Sequence, residues 1–370
     1  MQNKVTTPGD LLDKHGHLTE CGYATKLIKK YDRNKIKAKK SRIKEWDYYL
    51  IYNNDYAVAL TLDDNSYMGL DSFTLIDFSV PKETTKSYMK FFTNGTKNFP
   101  ATSEIGDVKV KEKNYTLEFL NDGKQRVLKT FIKNFENNQD LISELVLTEE
   151  PADSMVILTP FKEKKTCFYY NQKIVGFKVS GFITIGETRI EFNSDNTRGI
   201  LDWGRGVWTY KNTWYWGAGT GMVDGHEVGF NIGYGFGDTT AATENMVFYD
   251  GKAHKLEDVS FNIPKTPDGK DDFLSPWTFT SSDGRFEMDF TPIINRHSNA
   301  NVVVISSNQN QVFGTFTGTI KLDNGKTIKL NNFLGFAEKV MNKWWLQIKH
   351  KKRNSKTEFL FLFINFIKLI

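Results

Sequence analysis

From Trp46 onward the chain alternates apolar and polar residues with a period of two, the spacing that sends successive strand side chains to opposite faces. WDYYLIY and YAVALTL, on either side of Asn53-Asn54-Asp55, predict a first hairpin, which SFTLIDFSV (72–80) extends. Residues 83–98 (ETTKSYMKFFTNGTKN) are expected to form a short helix or a loop across the sheet. The strand pattern returns in VKVKEKNYTLEFL (108–120), VLKTFIK, LISELVLT, SMVILTPF, TCFYY, KIVGFKVSGFITI and RIEF. Beyond residue 251 it continues through HKLEDVSFNI and two hairpins, around Ser282-Asp283-Gly284 and Asn324-Gly325. No segment sustains the 3.6-residue period of a substantial helix. The pattern predicts an all-β protein of about twenty strands.

RIEFNSDNTRG breaks the pattern near residue 195 and leaves a long hairpin series on each side. Each series is long enough to close a barrel or a curved sheet of its own, without visible duplication between them. The expected organisation is a turn-rich segment 1–25, a first β domain 26–195, a second β domain 196–345 and a tail 346–370. The tail pairs a basic run (KHKKRNSK) with FLFLFINFIKLI. That apolar run is shorter than the roughly 20 residues a membrane-spanning helix needs. The tail is expected outside the fold, and any membrane contact only through residues 349–370.

Composition adds limits. A chain of 370 residues with 39% hydrophobic and 14% aromatic content fills a sizeable core. Net charge is +5, yet residues 26–44 alone hold ten Lys or Arg against one Asp, so the rest is mildly acidic. That run reads as a solvated linker or edge more than as a phosphate or membrane patch, and no nucleic-acid partner is expected. Cys21 and Cys167 form no CxxC pattern, and His15, His17 and Cys21 lack a fourth ligand, so no metal is expected. The first eighteen residues lack an apolar run, and a cytoplasmic location is the expectation.

Residues 199–251 concentrate the unusual chemistry. They hold Trp203, Trp208, Trp214 and Trp216, half of the chain's eight Trp, among closely spaced glycines. Gly217-Ala218-Gly219-Thr220-Gly221 is followed by Met222, where a dinucleotide fingerprint needs glycine, and no P-loop or Gly-x-Ser-x-Gly elbow occurs. Nucleotide binding, serine hydrolase and zincin chemistry are set aside, and no cofactor is expected. Read as strands, the block puts Trp214 and Trp216 on one face and Thr213 and Tyr215 on the other, with Gly229, Gly233, Gly235 and Gly237 giving room for flat rings. This arrangement suits either a packed small barrel or an aromatic-walled cavity for a flat apolar ligand.

The polar residues in the block are the candidates for chemistry. Asp202, Asp238 and Glu244 are candidate acids able to protonate a double bond or carbonyl, with Arg205 the expected partner of Asp202 or Glu244. Trp203, Arg205, Trp208, Tyr210, Trp214, Trp216, Asn231, Tyr234 and Asn245 are the expected ligand-binding residues. Structural ion pairing of the same groups is the competing reading.

DWGRGVWTYKNTWYWGAG, GFNIGYGFGD, TENMVFYDGKAHKL, RIKEWDYY and CFYYNQK resemble the bacterial family known as domain of unknown function 2804, over about Leu11 to Trp344. More distantly, that family is similar to proteins with two lipocalin-like domains, among them carotenoid hydratases, tocopherol cyclases and fungal pericyclases. The resemblance implies two lipocalin-like antiparallel β-barrels or curved sheets and a hydrophobic small molecule, lipid or isoprenoid-like, as partner. It carries over no catalytic residue. Three functions follow as expectations: a binder in a β-barrel cavity, a cofactor-free isomerase, cyclase or hydratase, or a structural protein with an aromatic core and a basic partner-binding segment.

Overall fold

The structure is a computed structural model that describes residues 2–302 and 305–343. Residues 346–370, expected as a tail, lie outside them. The described chain forms two large, curled antiparallel sheets, and its helical content is limited to two three-residue 3-10 turns, Arg33–Lys35 and Lys40–Arg42.

In the first sheet the strand order is Lys82–Phe91, Met68–Asp77, Tyr56–Asp64, Lys44–Tyr52, Arg198–Val207, Phe168–Ile185, Gln139–Thr148, Arg126–Glu136, Tyr115–Asn121 and Val108–Lys111. Arg126–Glu136 shows the period-two rule at work: Leu128, Thr130 and Ile132 are buried while Lys129 and Lys133 are exposed. Curling brings the two ends of the sheet together through side chains. Tyr88 stacks on Tyr115 with centroids 3.8 Å apart, and Lys90 pairs with Glu112 at 2.5 Å.

The second sheet runs Lys252–Lys255, Met246–Tyr249, His226–Tyr234, Lys211–Val223, Thr327–Lys343, Ile305–Lys321, Phe286–Val302, Trp277–Ser281 and Val259–Asn262. Its hollow is filled by rings: Phe230 meets Phe316 at 4.9 Å, Phe290 meets Phe316 at 4.6 Å and Phe261 meets Phe279 at 4.6 Å. The Asp224-Gly225 turn has positive φ at both residues, as a two-residue hairpin of type I′ requires.

Three expectations change. Residues 83–98 do not hold a helix; Lys82–Phe91 is a strand paired residue for residue with Met68–Asp77, because its Thr-rich alternation fits a pleat. The chain changes sheets later than the break near 195. Asn193–Thr197 is only a turn; Arg198–Val207 pairs in the first sheet, and the second begins at Lys211. The basic run is not a free, solvated one either. Lys29 pairs with Glu20 and Lys35 with Asp10, Arg33 pairs with Glu45, Arg42 donates to the Trp208 carbonyl, and Lys44 is buried.

Candidate functional site

Arg198–Val207 is buried at all ten positions because both its faces are covered. One looks into the first curled sheet and the other toward the second sheet. Trp203 and Arg205 point inward. The Arg205 guanidinium lies 4.2 Å from the Trp203 ring, donates to Asp47 at 2.9 Å and also reaches the carbonyls of Trp46 and Pro100. Burial pushes the Asp47 carboxyl up, and Arg205 opposes that shift. The expected pairing of Arg205 with Asp202 or Glu244 is therefore wrong. Residues three apart on a strand face opposite ways, so Asp202 turns from Arg205 toward the second sheet.

There Asp202 meets Lys173, Nζ to Oδ2 at 2.7 Å, and accepts from Asn171 Nδ2 at 2.6 Å. From this pair a circuit of contacts runs between the sheets. Lys173 sits over the Trp216 ring at 3.7 Å, and Trp216 meets Tyr48 edge to face at 5.9 Å. Gln311 Nε2 donates to the Tyr48 hydroxyl and to Glu338 Oε2, each at 3.2 Å, and Trp214 Nε1 donates to Glu338 Oε1 at 3.1 Å. Phe236 then touches Trp214 at 5.4 Å and Tyr169 at 4.8 Å, and Tyr169 stacks on Trp46 at 6.0 Å. Trp46 closes the circuit by lying flat on Gly204, where a Cβ would stand 2.0 Å from its ring.

The side chains on this circuit are enclosed by protein yet reachable by solvent. Tyr48 and Glu338 keep 8% exposure, Tyr169 and Asp202 7%, whereas neighbours such as Leu50 and Ala218 keep none. Trp46, Trp214 and Glu244 are only half-buried. Together they form a cluster of rings between the sheets that carries three carboxyls, Asp202, Glu244 and Glu338. Burial pushes Glu338 up to about 7, with the Trp214 hydrogen bond acting against it. Burial also raises Glu244, opposed by Lys173. Tyr169 is raised well above a phenol's ordinary value by burial, then by Glu244, Asp202 and Glu338 around it.

A surface groove of about 740 Å³ is lined in part by Phe161, Thr213, Gly235, Gly237 and Asp238. Phe236 connects the groove to the ring cluster by contact: its ring meets Phe161 of the groove at 5.5 Å and Trp208 at 5.3 Å. Gly235 and Gly237 on either side of it have φ of +91° and +74°, a backbone that L side chains rarely adopt.

The structure thus divides the expected site. Asp202, Glu244, Trp208, Trp214 and Trp216 gather in the cluster between the sheets with Asn231, whose Oδ1 accepts from Trp216 Nε1 at 2.8 Å. Asp238 does not join them. It sits on the groove beside Lys162, and the Thr240 hydroxyl holds its carboxyl below the ordinary value, the reverse of a raised-pKa acid. Tyr234 stacks on Tyr215 at 4.4 Å on the far side of the second sheet. Asn245 is bonded to main chain, accepting from Gly233 N and donating to the Glu257 carbonyl. Trp203 and Arg205 belong to the first sheet's interior, and Tyr210 is half-buried in the link between sheets.

Glycine acts where Gly204 takes the Trp46 ring, while Gly233 makes room for the Glu244 carboxyl instead of for a ring. Trp46, Tyr48, Tyr169, Asn171, Lys173, Gln311 and Glu338 escape the sequence reading. YYNQK and WDY carried a usable signal: Tyr169, Asn171 and Lys173 share one strand face, as do Trp46 and Tyr48. Glu338 and Gln311 arrive from more than a hundred residues beyond Asp202, and nothing local announces them. Among the described residues no group of three or more His, Cys, Asp or Glu is placed to hold a metal ion. No helix among them is long and apolar enough to cross a membrane.

Residues 2–344 match the family described as domain of unknown function 2804. No curated protein matches the sequence. Among solved structures the chain is similar to a candidate AttH protein of Nitrosomonas europaea, at 12% identity and TM-score 0.50, over 82% of this chain and 93% of that one. It is also similar to kievitone hydratase of Nectria haematococca, at 10% identity and TM-score 0.43 over 81% and 88% of the chains. CghA gives 8% identity and TM-score 0.43 over 92% and 98%. At such identities the likeness is one of fold alone, that of two lipocalin-like β domains.

Proposed function

This chain belongs to the family described as domain of unknown function 2804, and from its own residues we propose that it binds an apolar small molecule at the ring cluster between its two sheets. The observation that carries this reading is the closed circuit of rings and polar groups around side chains that are enclosed yet solvent-reachable. The binding place differs from the barrel cavity expected at first, because the hollow of the second sheet is packed with phenylalanine. Mass spectrometry of small molecules extracted from the natively purified protein tests it. A lipid or isoprenoid-like compound is expected from the wild type and lost from Trp214→Leu, which keeps apolar volume but removes the ring. Identical extracts, or two empty ones, would contradict the proposal.

A second reading has its own observation. Glu338, pushed up to about 7 and held by Trp214 and Gln311, is a proton donor near neutral pH within the same cluster. It could protonate a double bond or carbonyl of the bound compound, as an isomerase, cyclase or hydratase requires. Glu244 is the second acid of that reading. Asp202 is occupied by Lys173 and Asn171, and Asp238 lies elsewhere. With the extracted compound as substrate, Glu338→Gln is expected to retain binding and lose turnover at least a hundredfold. Equal turnover in both proteins would remove the acid from the mechanism.

A further inference from the structure

Resting on the reading of the ring cluster as the binding place, we infer that Phe236 is its gate. The Phe236 ring swings into the neighbouring groove and yields its socket to a flat, unsaturated ring of the ligand. The socket is shaped for such a ring. Tyr169, Trp208, Trp214 and Phe161 meet Phe236 at centroid distances of 4.8, 5.3, 5.4 and 5.5 Å, with interplanar angles of 82°, 76°, 75° and 88°. These contacts are all edge to face, the arrangement that a ring quadrupole favours and a saturated ring does not reproduce. Phe236 keeps only 8% exposure, so the protein's own ring fills the place. Ligand and Phe236 then compete for one socket, which reconciles a packed cluster with a binding place.

The main chain beside Phe236 is able to turn. Tyr234 is fixed in the ladder opposite Tyr215, and Asp238 N donates to the Pro160 carbonyl at 2.8 Å. Between these anchors the main chain of Gly235, Phe236 and Gly237 makes no hydrogen bond among the described residues. Gly235 and Gly237 stand at φ of +91° and +74°, and glycine crosses between left- and right-handed backbone at little cost. Both glycines line the groove of about 740 Å³, a space far larger than a phenyl ring. Phe161 lines it as well, so the ring keeps an apolar neighbour as it turns out.

Phe236→Ala empties the socket, and an apolar hole of this kind takes a small aromatic guest. Benzyl alcohol and cyclohexylmethanol form a matched pair, the same arm on a flat or a puckered ring. In calorimetric titrations of the full chain, Phe236→Ala is expected to bind benzyl alcohol at least tenfold more tightly than the wild type does. It is also expected to prefer benzyl alcohol to cyclohexylmethanol at least tenfold, with its fold checked by circular dichroism. The swing is read with para-nitrobenzyl alcohol, which quenches tryptophan emission. Its binding rate is expected to level off with concentration in the wild type, where Phe236 must first leave, and to keep rising in Phe236→Ala. Unchanged affinity in the folded variant, equal affinity for the two alcohols, or a wild-type rate that never levels off would overturn the inference. Should Phe236→Ala not fold, the wild-type rate profile alone decides. Failure of the ring cluster itself has a different signature: Trp214→Leu as well as Phe236→Ala would then leave benzyl alcohol binding unchanged. Weaker binding in Trp214→Leu with no change in Phe236→Ala would remove the gate and keep the cluster.

Discussion

Arg205 and Glu338 are both buried charged residues, and they act on stability in opposite ways. Arg205 is fully enclosed and satisfies Asp47 and three carbonyls, so Arg205→Ala leaves an unpaired carboxylate inside the first sheet. A loss of about 3–5 kcal/mol is expected in denaturant unfolding. A loss under about 1 kcal/mol would mean that water reaches Asp47. Glu338 is held in an environment that disfavours its charge. Its folded value near 7 lies above the ordinary 4.5, so the folded state binds the proton more tightly. Stability from this group is full below about 4.5 and declines as pH rises toward 7. Glu338→Gln is therefore expected to flatten the pH dependence of thermal unfolding over that window and to gain up to about 3 kcal/mol above it. A variant whose profile still falls in parallel with the wild type would place the titration elsewhere.

At the scale of elements, the strand Arg198–Val207 makes the site possible by having no solvent face. Its sequence, RGILDWGRGV, reads as strand, and parity alone separates Asp202 and Gly204 from Trp203 and Arg205. The hairpins at Asn53–Asp55, Asp224-Gly225 and Asn324-Gly325 were equally legible, since turn chemistry is local. So was the opposition of Trp214 and Trp216 to Tyr215. What could not be read was which strand lies next to which. The insertion of Arg198–Val207 between Lys44–Tyr52 and Phe168–Ile185 is a long-range pairing, and it carries Asp202 to Lys173 and Trp46 to Gly204. Gly204 marks the closest approach. Gly204→Ala drives a Cβ into the Trp46 ring and is expected to cost about 1–3 kcal/mol in denaturant unfolding and to displace that ring from Tyr169. Unchanged stability with unchanged tryptophan emission would show that the ring does not lie there.

For the whole molecule, the two sheets are fastened to each other on more than one side of the ring cluster. The Tyr52 hydroxyl accepts from Thr220 N at 2.6 Å, and Asn3 N donates to the Ala241 carbonyl at 2.8 Å. Tyr52→Phe strands a buried main-chain N–H between the sheets. It is expected to lower stability by about 1–3 kcal/mol while unfolding stays a single transition. Separate transitions for the two sheets would show that they do not act as a rigid pair. These ties hold two lipocalin-like domains against one another, and the proposed binding place lies between them. A crystal structure of the protein with the compound extracted from it tests that placement most directly. The account predicts ligand density between the sheets, in contact with Trp46, Tyr169 and Trp214. Density inside either curled sheet, or a space between the sheets filled by the protein's own side chains, would contradict it.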